Sequence, residues 1–179
     1  MQQVQVALIR GINVGKAKRI AMAELRALFE SLGFRDVRTL LNSGNVVYRS
    51  GEPASKAAAR IETALSERIG SRTRAVILTA RELGTVVSEN SLVEIGANHS
   101  RLLVAVPSKK SLIKDLTPLA ARDWTPEAIA LGSRAAYLWC PGGIIDSSVG
   151  TAMNRALGDA VTARNWATIL KLQALTEDR

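Results

Sequence analysis

One cysteine and one histidine in 179 residues leave little room for several common chemistries. Cys140 alone forms no internal disulfide and no multi-cysteine zinc site. His99 alone, in a turn-rich stretch, supplies no local signature of a Ser-His-Asp triad or a Cys-His pair, and the Gly-x-Ser-x-Gly elbow is absent. Aromatic residues make up only 4% of the chain, and the Gly/aromatic signature of an RNA-recognition sheet is missing, so base stacking is a weak basis for recognition. No apolar run approaches the roughly 20 residues of a membrane-spanning helix. The N-terminal run Val6–Ile9 stops at Arg10, against a signal peptide. A cytoplasmic protein with no membrane partner is the expectation. The carboxylates are scattered, and Asp146, near Gly142 and Gly143, is the one loop acid placed to serve a site. Nothing calls for a metal or an organic cofactor, and the balance leans away from an enzyme.

What the chain does have is apolar residues and positive charge. At 47% hydrophobic it can bury a core, which excludes wholesale disorder. Lys and Arg number 24 against 16 Asp and Glu, a net charge of +8. The excess is uneven. Residues 1–90 hold 14 basic and 8 acidic groups, residues 91–179 hold 10 and 8, and between Met1 and Ala23 four bases meet no acid. A sequence pI near 10.2 with a clustered basic loop is the electrostatic footprint of a nucleic-acid binder.

Periodicity orders the first half as β-α-β-β-α-β. Val4–Ile9 is apolar enough for a buried strand, and Leu25, Leu28, Phe29 and Leu32 place one stripe on a helix that Gly33 ends. Val37–Leu41 and Val46–Arg49 flank the turn Asn42-Ser43-Gly44-Asn45. Pro53 opens an Ala-rich helix, and Arg74–Leu78 is the next strand. A third helix near Arg81–Ser88 leads into a turn-rich stretch, Glu89–Ser100, where a lobe boundary is expected. The order then recurs: strand Leu102–Val106, helix Leu112–Leu119, strands near Ala128–Leu131 and Ala135–Cys140, and a helix around Ala152–Leu157. Asp159–Val161 reads as a short last strand before a terminal helix, Thr162–Leu175. The pattern predicts an α+β protein of two ferredoxin-like lobes, residues 1–90 and 91–179, packed into one compact unit.

Three motifs carry a resemblance. Arg10-Gly11-Ile12-Asn13-Val14-Gly15 follows the first strand, Ser43-Gly44-Asn45 joins the next two, and Thr162-Ala163-Arg164-Asn165-Trp166 opens the terminal helix. In this order and at these separations they resemble the bacterial domain-of-unknown-function 1697 family, from Leu8 to about Leu172. The resemblance implies two intertwined ferredoxin-like lobes and brings no catalytic assignment. Two departures stand out: Asn90-Ser91-Leu92 replaces a common Asn-Pro-Phe, and Ala167 stands where a second Asn is usual.

The glycine loop is the leading candidate site. Gly11, Asn13 and Gly15 accept positive φ, so successive backbone N–H groups can converge on an anion, with Arg10, Lys16, Lys18 and Arg19 supplying charge. It is not a Walker loop: three residues, not four, separate the glycines, and Lys16 is followed by Ala17. A glycine-rich turn with solvated lysines explains the same residues. Ser43 and Asn45 add hydrogen-bonding groups, or simply build a hairpin turn. Thr162 reads as the N-cap of the terminal helix, which places Arg164 and Asn165 in its first turn, where an arginine opposes the helix dipole unless an anion lies near. Two functions stay open: nucleic-acid binding through backbone phosphates, DNA or RNA, or a small enzyme or sensor enclosing a phosphorylated metabolite.

Overall fold

A computed structural model describes residues 2–14 and 19–178. Gly15, Lys16 and Lys18 of the glycine loop lie outside the described residues. The chain runs β1 (Gln3–Arg10), α1 (Met22–Ser31), β2 (Arg35–Leu40), β3 (Asn45–Ser50), α2 (Ala54–Ile69), β4 (Arg74–Thr79) and α3 (Ala80–Ser88). After the turn-rich stretch come β5 (Leu102–Pro107), a 3-10 helix (Lys110–Leu116) continuing into α4 (Thr117–Ala120), β6 (Ala128–Leu131), β7 (Ala136–Trp139) and α5 (Ser148–Leu157). A 3-10 turn (Gly158–Ala160) leads to β8 (Val161–Asn165) and α6 (Trp166–Glu177).

Among the described residues these strands make two four-stranded antiparallel sheets, ordered β2-β3-β1-β4 and β6-β7-β5-β8. The two orders are the same permutation of a β-α-β-β-α-β run, so the chain is α+β with two ferredoxin-like sheets. Residues up to Leu83, together with those from Leu172, form one compact unit, and Gly84–Lys171 form the other. The division thus falls inside α3, ahead of the Glu89–Ser100 stretch. The second half of α3 belongs with the second unit, where the Tyr137 hydroxyl donates to the Val86 carbonyl at 2.6 Å.

In the first unit the helices cover Ala7, Ile9, Val46, Tyr48, Ala75 and Ile77 of the sheet with Leu25 and Phe29 of α1 and Ile61 and Leu65 of α2. The opposite sheet face, including Val6, Leu8, Val47 and Leu78, is also buried. Burial on both faces is why β1 reads as an apolar run and not as an alternation. In the second unit Leu103, Ala105, Ala136 and Leu138 pack with Leu116, Val149, Met153 and Leu157, and Cys140 joins this core as a small apolar residue.

Two segments differ from the sequence reading. The helix expected over Leu112–Leu119 is mostly 3-10, because Pro118 lacks an N–H and sterically opposes an α-helical interior, so the α-turn starts only beside it. The terminal helix begins four residues later than expected. Thr162–Asn165 complete the second sheet, with Thr162 opposite Val106 and Arg164 opposite Val104. The Asp159–Val161 stretch is correspondingly a 3-10 turn with only Val161 in the strand. Without residues 162–165, β5 would carry an unpaired edge, and pairing those backbone groups outweighs one extra helical turn.

Candidate anion-binding site

Two of the three motifs meet at one end of the first sheet. Asn13 holds a left-handed backbone (φ 55°) and its side chain is fully engaged. Its Nδ2 donates to the Asn42 carbonyl at 2.8 Å and to the Ile20 carbonyl at 3.1 Å, while its Oδ1 accepts from the Ile20 N–H at 2.9 Å. One side chain therefore ties Asn13 to Ile20 and both to the β2–β3 turn. The turn is fastened in return: the Ile9 N–H donates to the Gly44 carbonyl at 2.8 Å. Gly44, at φ 81°, leaves no space for a side chain, since a Cβ there would stand 3.0 Å from Ile9 Cβ.

Asn45 is buried, and its Nδ2 donates to the Leu40 carbonyl at 3.0 Å and to Ser43 Oγ at 2.9 Å. Both donors of its amide thus build the turn. Gly11 has φ 83° with open space around its Cα. Arg10 ends β1 directly opposite Arg74 on β4, so two guanidinium side chains leave the same end of the sheet side by side. Arg74 lies 3.8 Å from Glu62. A cleft of about 480 Å³ opens at this junction, lined by Asn13, Arg19, Ile20, Ala21, Met22 and Asn42. Asn42 went unassigned in the sequence, since its carbonyl, and not its side chain, is what Asn13 uses.

The third motif lies in the other unit. Thr162 is a buried strand residue and not a helix cap. Asn165 has that role instead, its Oδ1 accepting from the Thr168 N–H at 2.9 Å, and Trp166 is buried. Arg164 stands in β8, on the sheet face opposite α5, and its Nη1 donates to Thr162 Oγ1 at 3.0 Å and to the Ala163 carbonyl at 2.9 Å. Burial among its neighbours lowers its pKa to about 10, so it stays charged at neutral pH. The helix-dipole argument for an anion at Arg164 loses its basis, because the residue is not in a helix. Tyr48 and Tyr137 are buried, which removes them as stacking platforms. Ser147 is the N-cap of α5, accepting from the Gly150 N–H at 2.9 Å.

No helix among the described residues is long and apolar enough to cross a membrane. The family model described as "Protein of unknown function (DUF1697)" matches residues 1–137. Curated proteins provide no match. Among solved structures, the chain is similar to the conserved bacterial protein SP0830 from Streptococcus pneumoniae, with a TM-score of 0.78 at 18% identity over 98% of this chain and 99% of that one. That likeness is one of fold. With the family model spanning well over half of its length, the chain belongs to the domain of unknown function 1697 family.

Proposed function

We propose that this protein binds nucleic acid without catalysing a reaction, through backbone phosphates held at the basic end of the first sheet. The observation that carries the reading is the Asn13 clamp, which ties Asn13 to Ile20 and to Asn42 of the β2–β3 turn, with Lys16, Lys18 and Arg19 between Asn13 and Ile20 in the sequence. Backbone already fixed at Asn13, Ile20 and Asn42 leaves less conformational entropy to lose when an anion is met there. Arg10 and Arg74 add basic side chains from two neighbouring strands at the same sheet end, Arg74 shared with Glu62 at 3.8 Å. Arg10, Lys16, Lys18 and Arg19 carry the phosphate contacts in this proposal, with Gly11 and Gly15 donating backbone N–H groups.

A specific observation favours a second reading. The cleft of about 480 Å³ beside Arg19 is of a size to take a phosphorylated metabolite. Fluorescence anisotropy with labelled duplex DNA, single-stranded DNA and RNA at about 50 and 200 mM salt separates the two. The nucleic-acid reading expects binding tighter than about micromolar that weakens steeply with salt. Replacing Lys16, Lys18 and Arg19 together with Glu is expected to reduce the log–log salt slope by about 2 to 3. Absence of binding at low salt would reject it and turn the search to small phosphorylated ligands.

A further inference from the structure

A second cleft, in the other unit and independent of the basic loop, has a different chemistry. It measures about 640 Å³, within the range of small-molecule sites. One wall is the outward face of α5. Ser148, Thr151, Ala152, Arg155 and Ala156 fall at helical spacing on that face, and the small residues leave the space open. Val149, Met153 and Leu157 take the opposite face into the core. A second wall comes from Leu119 and Trp124, and the third from the loop before α5, where Ile145 is 95% exposed.

The charges in this cleft are arranged for an anion of low valence. The Arg122 guanidinium lies over the Trp124 ring, 4.4 Å from its centroid, and Trp124 is itself held by an Nε1–H bond to the Leu119 carbonyl at 2.8 Å. Among the described residues neither Arg122 nor Arg155 has a carboxylate partner or a side-chain hydrogen bond within the protein. Stacking engages the face of a guanidinium and leaves its in-plane N–H donors available to a carboxylate. Asp146 is the one acid on the lining, so two guanidiniums and one carboxylate leave a single net positive charge. The α5 N-terminus adds nothing to this, because Glu127 already accepts from the Ser148 and Val149 N–H groups at 3.1 and 2.8 Å. A polyphosphate would meet too little charge here, and a neutral apolar molecule would leave both arginines unused.

We propose that the cleft between α4 and α5 binds a small organic monoanion, a carboxylate on an aromatic or branched apolar body. The carboxylate pairs with Arg122 and Arg155, and the body packs on Leu119, Ile145 and Ala156.

The probe is 1-naphthoate, titrated by calorimetry against the full chain, with the near-isosteric neutral 1-naphthamide as comparison. The expected result is one saturable site at which the acid binds at least about tenfold more tightly than the amide. Arg122→Gln and Arg155→Gln are each expected to remove most of that preference. Ala156→Leu, at an exposed position, fills the cleft and is expected to abolish binding with the circular-dichroism spectrum and thermal midpoint unchanged. Equal binding of acid and amide, acid binding that survives Ala156→Leu, or no saturation by about 5 mM would each overturn the proposal. So would an acidic apolar heptapeptide that competes about tenfold more tightly than 1-naphthoate, since the cleft would then be a peptide groove.

Discussion

At the residue scale, the glycine loop and the β2–β3 turn show how similar sequence signals hide different constraints. Gly11 and Gly44 both hold positive φ, near 83° and 81°, yet only Gly44 is hemmed in, by Ile9 and Ile12. Gly11→Ala therefore carries only the left-handed backbone penalty, about 1 kcal/mol. Gly44→Ala adds a clash with Ile9 Cβ, which is close to the backbone and cannot swing away, for a total of about 2–3 kcal/mol. Urea denaturation of the two variants checks the ranking, and equal losses would show that the turn yields freely. Asn13 was legible as a residue tolerant of positive φ. Its three hydrogen bonds were not, because their partners, Ile20 and Asn42, offer backbone groups that any residue type would present.

Among elements, the segment from Gly158 to Trp166 is where pattern and structure part. Thr162 before an apolar helical stripe is a sound N-cap signal. Asn165 is an equally good one three residues on, and the choice between them was made by β5, which needs a partner along its free edge. A local pattern holds no information about that partner. The start of α5 is likewise stabilised from outside its own sequence. Ser147 caps it locally, while Glu127, twenty residues earlier, accepts from Ser148 and Val149. Glu127→Ala is expected to cost about 2 kcal/mol, since it strips two N–H groups of a charged acceptor at the positive helix end. Glu127→Gln, which keeps one acceptor oxygen, is expected to cost about half as much. Thermal melts of both variants test this, and a loss within error of zero for Glu127→Ala would show that water replaces the carboxylate.

For the whole molecule, each sheet encloses one tyrosine, on equivalent strands but opposite faces. Tyr48 on β3 faces the helices of the first unit and donates to Gln5 Oε1 at 2.9 Å. Tyr137 on β7 sits opposite Val104, on the face away from α5, and donates to the Val86 carbonyl. Burial pushes both phenols well above their ordinary range, with the charges of Glu52 and Glu89 adding to the effect. In the unfolded chain both ionise near pH 10, so stability is complete below about pH 10 and declines as pH rises further. The expected slope is up to about 1.4 kcal/mol per pH unit for each tyrosine. Arg164, whose pKa is depressed to about 10, acts in the opposite direction over the same alkaline range. Tyr48→Phe isolates the tyrosine contribution. Urea titrations at pH 9 to 11 are expected to fall less steeply for that variant than for the parent, and parallel profiles would show that Tyr48 ionises in the folded state.

The amino-acid sequence by itself determined the α+β class, the doubled β-α-β-β-α-β order and the basic bias of residues 1–90, because apolar periodicity, turn residues and charge are local properties. It also marked Gly11, Asn13 and Ser43–Asn45 as special, because positive φ and tight turns select residue types directly. Tertiary structure alone decided that Asn13 clasps the β2–β3 turn, that residues 162–165 form a strand, and that Arg122 and Arg155 share a cleft. Each of those outcomes joins groups distant along the chain: the first two complete a partner's hydrogen bonds, and the third follows from the packing that sets α4 beside α5. No window of sequence contains both halves of such a pair.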